Sequence, residues 1–110
     1  MITVKIRRNS SDDICEVRIS GHANYSEQGT DIVCAGVSAL AITTINSLDY
    51  HGVPFQLRQY DEGLIDFAII SPETEKQAAV GKVVLTTFWL GIKNMVESYD
   101  TYIRLVDDSA

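Results

Sequence analysis

From Ile32 to Tyr50 the chain reads IVCAGVSALAITTINSLDY, with no proline and with apolar side chains on nearly every side of a helical projection. A helix of this composition is buried on more than one side, so the other elements must be built around it. Asp31, just before it, is a favoured N-cap residue, and the helix is expected to begin at Ile32. His51-Gly52 closes it: Gly52 suits the left-handed position past a helix end, and His51 is favourable at the negative terminus as a cap.

Ahead of this helix, Ile2, Val4 and Ile6 alternate with Thr3, Lys5 and Arg7. After the turn residues Asn9 to Asp13 the alternation resumes with Cys15, Val17 and Ile19. Period-two alternation on both sides of a polar turn predicts an antiparallel hairpin, and its phase places Cys15 in the core beside Val17 and Ile19. A second hairpin is expected from Phe55–Tyr60 and Leu64–Ile70 around Asp61-Glu62-Gly63. Ser71-Pro72-Glu73 reads as the start of a second helix, running to about Tyr99. One stripe of it, Val84, Leu85, Phe88, Ile92, Met95 and Tyr99, suits the core, with Trp89 near the border. Another, Val80, Val83 and Leu90, either covers the first helix or forms a homodimer contact. A final strand is expected over Tyr102–Val106, before a short acidic tail. The fold class is therefore α+β, a largely antiparallel sheet of about five strands with two helices in the order ββαββαβ. There is no internal linker, so residues 1–110 are read as one domain.

Composition narrows the function classes. The chain is 45% hydrophobic and 22% charged with a formal net charge of −6, which disfavours direct nucleic-acid binding because phosphate neutralisation needs clustered Lys and Arg. A basic protein or peptide is the better-matched partner. No apolar run is read as approaching the ~20 residues of a membrane span, and MITVKIRR enters strand alternation at once, so a cytoplasmic protein without membrane association is expected. Cys15 and Cys34 are then expected to be reduced thiols rather than a disulfide.

Between the second strand and the first helix lies GHANYSEQGTD, residues 21–31. His22 stands where the chain leaves the sheet, and Cys34 sits at the third helical position. Unpaired amides and the positive end of the helix dipole stabilise an anion there, so Cys34 is expected to be partly or largely thiolate at neutral pH. That layout suits a thiol nucleophile with its base. On spacing alone, a small buried hydrophobe accounts for Cys34 equally well, and a surface or cap histidine accounts for His22. The segment Ala23–Thr30, polar through Asn24, Ser26, Glu27 and Gln28, is expected to form a mobile lid with Gly21 and Gly29 as pivots. Ser38 lies one turn after Cys34 on the same face, near the site or simply bonded to the preceding turn.

The whole stretch carries more than the pair. Gly21-His22-Ala23, Gly29, Asp31-Ile32-Val33-Cys34-Ala35-Gly36 and Ser38-Ala39 together resemble the ribosomal-processing cysteine protease family, Prp. The specific part of the resemblance is Gly21–Leu40, and beyond it only the order of elements agrees. The resemblance implies an endopeptidase with Cys34 as nucleophile and His22 as general base and acid. It also implies a substrate, the N-terminal extension of the bacterial large-subunit ribosomal protein L twenty-seven, cut after an apolar, aromatic-containing segment. No cofactor or metal is implied. If the two side chains meet, the imidazole takes the thiol proton and backbone amides of the helix turn hold the oxyanion. Asp31 then orients His22, caps the helix, or does both through different oxygens.

Two other readings fit less well. A non-catalytic module docking on a ribosomal protein or assembling subunit would leave Cys34 structural. A zinc site from Cys15, Cys34, His22 and His51 lacks the paired short spacings of such sites.

Overall fold

The computed structural model describes residues 1–27 and 29–108. The elements are β1 (Ile2–Arg8), β2 (Ile14–Ser20), α1 (Ile32–Tyr50), β3 (Phe55–Asp61), β4 (Leu64–Ile69), α2 (Glu75–Ser98) and β5 (Ile103–Asp108). The sheet order is β3-β4-β2-β1-β5, with only the β1·β5 pair parallel. This is the expected α+β architecture in the expected order.

Cross-strand register lines up the core. Ile6, Val17 and Phe67 are neighbours across β1, β2 and β4, as are Val4, Ile19 and Ile65 one pair further along. All but the half-buried Ile65, which packs against them, join Leu85, Phe88 and Ile92 of α2 and Val33, Val37 and Leu48 of α1 in one buried cluster. The other face of the sheet is charged: Asp66 accepts from Arg18 at 2.9 Å and from Arg58 at 2.8 Å, and Glu16 from Arg7 and Arg58 at 3.0 Å each.

α1 begins and ends where expected. Its Val33, Val37, Ala41, Thr44, Ile45 and Leu48 are buried. With 19 residues and a mean hydropathy of 1.5 it is long and apolar enough to cross a membrane, which corrects the expectation that no run approaches that length. Here its burial is one-sided: the face of Val33, Val37, Ala41 and Leu48 packs the fold while Ile32 and Ile42 are exposed, which corrects the expectation of burial on more than one side. Against α2 the contact is close because each helix offers a glycine to the other. A Cβ on Gly36 would stand 2.7 Å from Met95 Cε, and one on Gly91 would stand 2.9 Å from Leu40 Cδ2.

Three expectations need correction. The N-cap of α2 is Thr74, not Ser71: its hydroxyl accepts from Gln77 N at 3.1 Å, while Gln77 Oε1 accepts from Glu73 N at 2.8 Å. That reciprocal arrangement resembles a capping box, which is a stronger start signal than Ser71-Pro72. Cys15 is not a core residue. The β1–β2 register shifts between Arg7 and Arg8, so Ile14 takes the inward place, and Cys15 is half-buried with its thiol donating to Arg7 O at 3.4 Å. Lastly, Asp107 and Asp108 are not a tail but the end of β5, where Asp107 pairs with Arg8 and Asp108 with Lys5. Residues 109–110 lie outside the described residues.

The second stripe of α2 divides. Val80 packs half-buried against the core, whereas Val83 and Leu90 are exposed. Trp89, at the border, has two cations within cation–π range of its ring, Arg8 at 5.3 Å and Lys93 at 4.4 Å from the centroid.

Candidate active site

The β2–β4 ladder ends at the pair Ser20 and Leu64. One step beyond, Gly21 turns with φ +89° and donates to Gly63 O at 3.0 Å, and the chain leaves the sheet at His22. The His22 carbonyl accepts from the Met1 amine at 2.6 Å, which holds this corner from the β1 side. His22 is exposed and lines a cavity of about 630 Å³ together with Cys34, Asp31 and Ser38. The sequence-predicted residues are thus brought to one place. Tyr60, Leu64, Ile42 and Ile19 give the cavity an apolar wall, and the β3–β4 turn closes another side. That turn has two residues, Glu62-Gly63, since Asp61 still pairs with Leu64 as part of β3.

Cys34 lies in the first turn of α1, and its sulfur accepts a hydrogen bond from Ala23 N at 3.4 Å. The amide next to His22 therefore faces the thiol. Among the described residues no hydrogen bond joins the imidazole to Cys34, and the ring instead lies against Gly63.

Asp31 is the best-satisfied group in the site. Its Oδ1 accepts from Val33 N and Cys34 N at 3.0 Å each, which caps α1. Its Oδ2 accepts from Tyr25 N at 2.9 Å and Ser26 N at 3.3 Å. The two oxygens do serve two purposes, but the second is the loop and not His22. The same bonds alter the oxyanion expectation, because the amides of Val33 and Cys34 are already committed to Asp31. The donor that faces the sulfur is Ala23 N.

Burial works against the charge on Asp31, and the amides of Cys34, Ser26, Tyr25 and Val33 outweigh it, holding its carboxyl below the usual carboxylate range. A group whose folded value is depressed contributes stability that is present above the unfolded value, about 3.9, and is lost as pH falls through the folded one. Asp31→Asn offers one carbonyl oxygen to four donors. It is expected to lower the melting temperature at neutral pH, to speed proteolytic nicking in the 23–30 loop, and to flatten the acid side of the stability profile. Calorimetry and limited proteolysis across pH 3 to 7 check this.

The loop itself is anchored. Ala23 is buried, Thr30 N donates to Glu27 O at 3.0 Å, and Tyr25 packs edge-on against Tyr99 and Tyr102 with centroids 5.8 and 5.1 Å away. Gly29, with φ +91°, has open space around its Cβ position. Gln28 lies outside the described residues. His51 sits at the far end of α1 as its C-cap, and Cys15 near the far end of β2 from Gly21. Sequence reasoning missed the Ala23 amide, the Tyr25 anchor and the contact with Gly63. Only Tyr25, an aromatic within a polar loop, carried a local signal.

The α+β sheet and its helices set a helix-terminal cysteine and a histidine on one cavity, the pair of groups that a cysteine protease needs. Residues 1–104 match the family model described as cysteine protease Prp, and the chain belongs to that family. A ribosomal processing cysteine protease Prp of Staphylococcus aureus is 33% identical over 105 residues, covering 96% of this chain and 97% of that protein. A Bacillus subtilis protein of the same description is 42% identical over 48 residues, covering 44% of this chain and 43% of that protein. Among solved structures, an essential ribosomal processing protease Prp from S. aureus with a covalently linked product peptide superposes at a TM-score of 0.87. It is 27% identical over 98% of this chain and 100% of that one. A second crystal structure of the S. aureus protease, in complex with a substrate peptide, gives 0.82 at 26% identity, again over 98% and 100%.

Proposed function

We propose that this protein is an endopeptidase that removes the N-terminal extension of the large-subunit ribosomal protein L twenty-seven, with Cys34 as nucleophile and His22 as general base and acid. One observation carries the reading: the Cys34 sulfur stands in the first turn of α1, accepts the Ala23 amide, and faces the cavity that His22 lines. In the reaction, the imidazole takes the Cys34 proton and the thiolate attacks the scissile carbonyl, forming the C–S bond and an oxyanion, to which Ala23 N donates as the sulfur loses its charge and releases that amide. The C–N bond breaks as His22 returns its proton to the leaving amine. Water, deprotonated by His22, then releases the thioester and restores the thiol. The hydrogen bond between the imidazole and the sulfur closes in the reacting complex. Catalytic hydrogen bonds commonly tighten only when substrate is bound.

Asp31 supports the pair from behind, holding both the cysteine turn and the loop. Ser38 adds a hydroxyl to the cavity, and Gly21 and Gly29 are the pivots on which the loop opens to admit an extended peptide. The apolar wall of Tyr60, Leu64 and Ile42 suits an aromatic segment ahead of the cut, at ~25 cal/mol per Å² of apolar area buried. The net charge of −6 suits a basic ribosomal protein, and the site of action in this reading is the cytoplasm, without membrane association. The names of the relatives, which are ribosomal processing proteases, support the choice of substrate. Incubation with the purified precursor, read by mass spectrometry, is expected to show the extension removed. Replacing the aromatic residues before the cut by alanine is expected to lower kcat/KM strongly, and a precursor left intact overturns the substrate.

A homodimer through Val80, Val83 and Leu90 belongs to the same proposal. Val83 and Leu90 are 65% and 55% exposed, and Val83 borders an apolar groove of about 300 Å³ between α1 and α2. Sedimentation at micromolar concentration is expected to give twice the 12.2 kDa chain mass. A monomer rejects the contact and leaves the site untouched, since the stripe lies away from the cavity.

A further inference from the structure

We infer that Gly63 is a positioning residue for His22: the bare backbone of the β3–β4 turn is the seat that holds the imidazole beside Cys34. This rests on the proposed pairing of His22 with Cys34. A Cβ at Gly63 would stand 2.8 Å from His22 Nε2, 3.2 Å from Cε1 and 3.6 Å from Cδ2. The ring therefore puts its Nε2 corner into the space that any side chain at 63 would fill. The seat and the ring's own chain are fixed to each other, because Gly21 N, the amide just before His22, donates to Gly63 O at 3.0 Å. With the two backbones held together, a side chain at 63 is accommodated by the exposed His22 ring, which turns away. To restore an ordinary 3.4 Å contact the ring must retreat by 3.4 − 2.8, or about 0.6 Å. Displacements of that order cost a factor on the order of ten or more in a reaction that depends on alignment.

Gly63 also has φ +77°, so a side chain there is strained whatever it touches. The fold supplies a matched control. Gly52 has φ +69° and nothing within 4 Å of its Cβ position, so Gly52→Ala carries the backbone strain without the collision. The test measures the iodoacetamide alkylation rate of Cys34 in Gly63→Ala and Gly52→Ala, each with and without His22→Ala, as a double-mutant cycle. Gly63→Ala is expected to slow alkylation about tenfold, Gly52→Ala to leave it near the wild-type rate, and Gly63→Ala to add nothing once the imidazole is gone. A Gly63→Ala rate equal to or above that of Gly52→Ala overturns the inference, and so does a slowing that persists without the imidazole. Should Gly63→Ala fail to fold, the pair Gly63→Asn and Gly52→Asn makes the same comparison, because Asn tolerates the left-handed region. The readout does not involve cleavage, so an uncut precursor would overturn the substrate assignment alone. If His22→Ala by itself leaves alkylation unchanged, the pairing with Cys34 falls, and this inference with it.

Discussion

Cys34→Ala is expected to abolish peptide cleavage, with a loss on the order of 10⁴ or more, while Cys15→Ala keeps nearly all of it. The two cysteines differ in everything a nucleophile needs. Cys34 stands at the amino end of a 19-residue helix, receives the Ala23 amide and faces the cavity. Cys15 sits at the register shift of the first hairpin, where burial and the neighbouring Glu16 push its thiol up, so it stays protonated at neutral pH. Its single hydrogen bond to Arg7 O at 3.4 Å makes the expected stability cost of Cys15→Ala small, below about 1 kcal/mol. Steady-state cleavage with both variants checked for native circular dichroism decides the matter. Equal losses in two folded proteins would remove Cys34 from its role.

The second large effect is expected from His22→Ala, which should slow acylation by a factor on the order of a hundred or more and move the alkylation profile of Cys34 to higher pH. Both follow because one ring supplies the base for the thiol and the counter-ion for the thiolate. The helix terminus and the Ala23 amide remain, so some reactivity should survive, less than wild type and more than Cys34→Ala. Single-turnover cleavage separates acylation from product release. An alkylation profile identical to wild type would mean that the imidazole never reaches the sulfur, and the contact with Gly63 would then position nothing.

How far the sequence reveals such a site depends on how local the determining contacts are. The start of α1 was legible because an N-cap aspartate acts on amides two and three residues away. The same reasoning failed for α2, where Ser71-Pro72 and Thr74-x-x-Gln77 compete within four residues and only the second closes both bonds. Cys15 was misplaced because alternation assumes an unbroken register, and a bulge between Arg7 and Arg8 hands the inward position to Ile14. The convergence of His22 with Cys34 was legible only through the resemblance of Gly21–Leu40 to a known family. Nothing local reveals that the second oxygen of Asp31 serves the loop, or that Gly63 lies under the imidazole, since only the pairing of β2 with β4 brings residue 63 there. Gly63 read as a turn glycine, which it is, and its second role is a tertiary one.

The central claim, that Cys34 is a nucleophile prepared by its surroundings and not a structural cysteine, is tested most directly by alkylation. The native protein would be treated with iodoacetamide at a series of pH values and the extent at each cysteine read by peptide mapping. The expected result is rapid labelling of Cys34 below pH 7, with Cys15 labelled slowly until well above neutrality. Labelling of Cys34 that is slow below pH 7 and rises only in step with Cys15 would contradict the account and return the protein to a binding role.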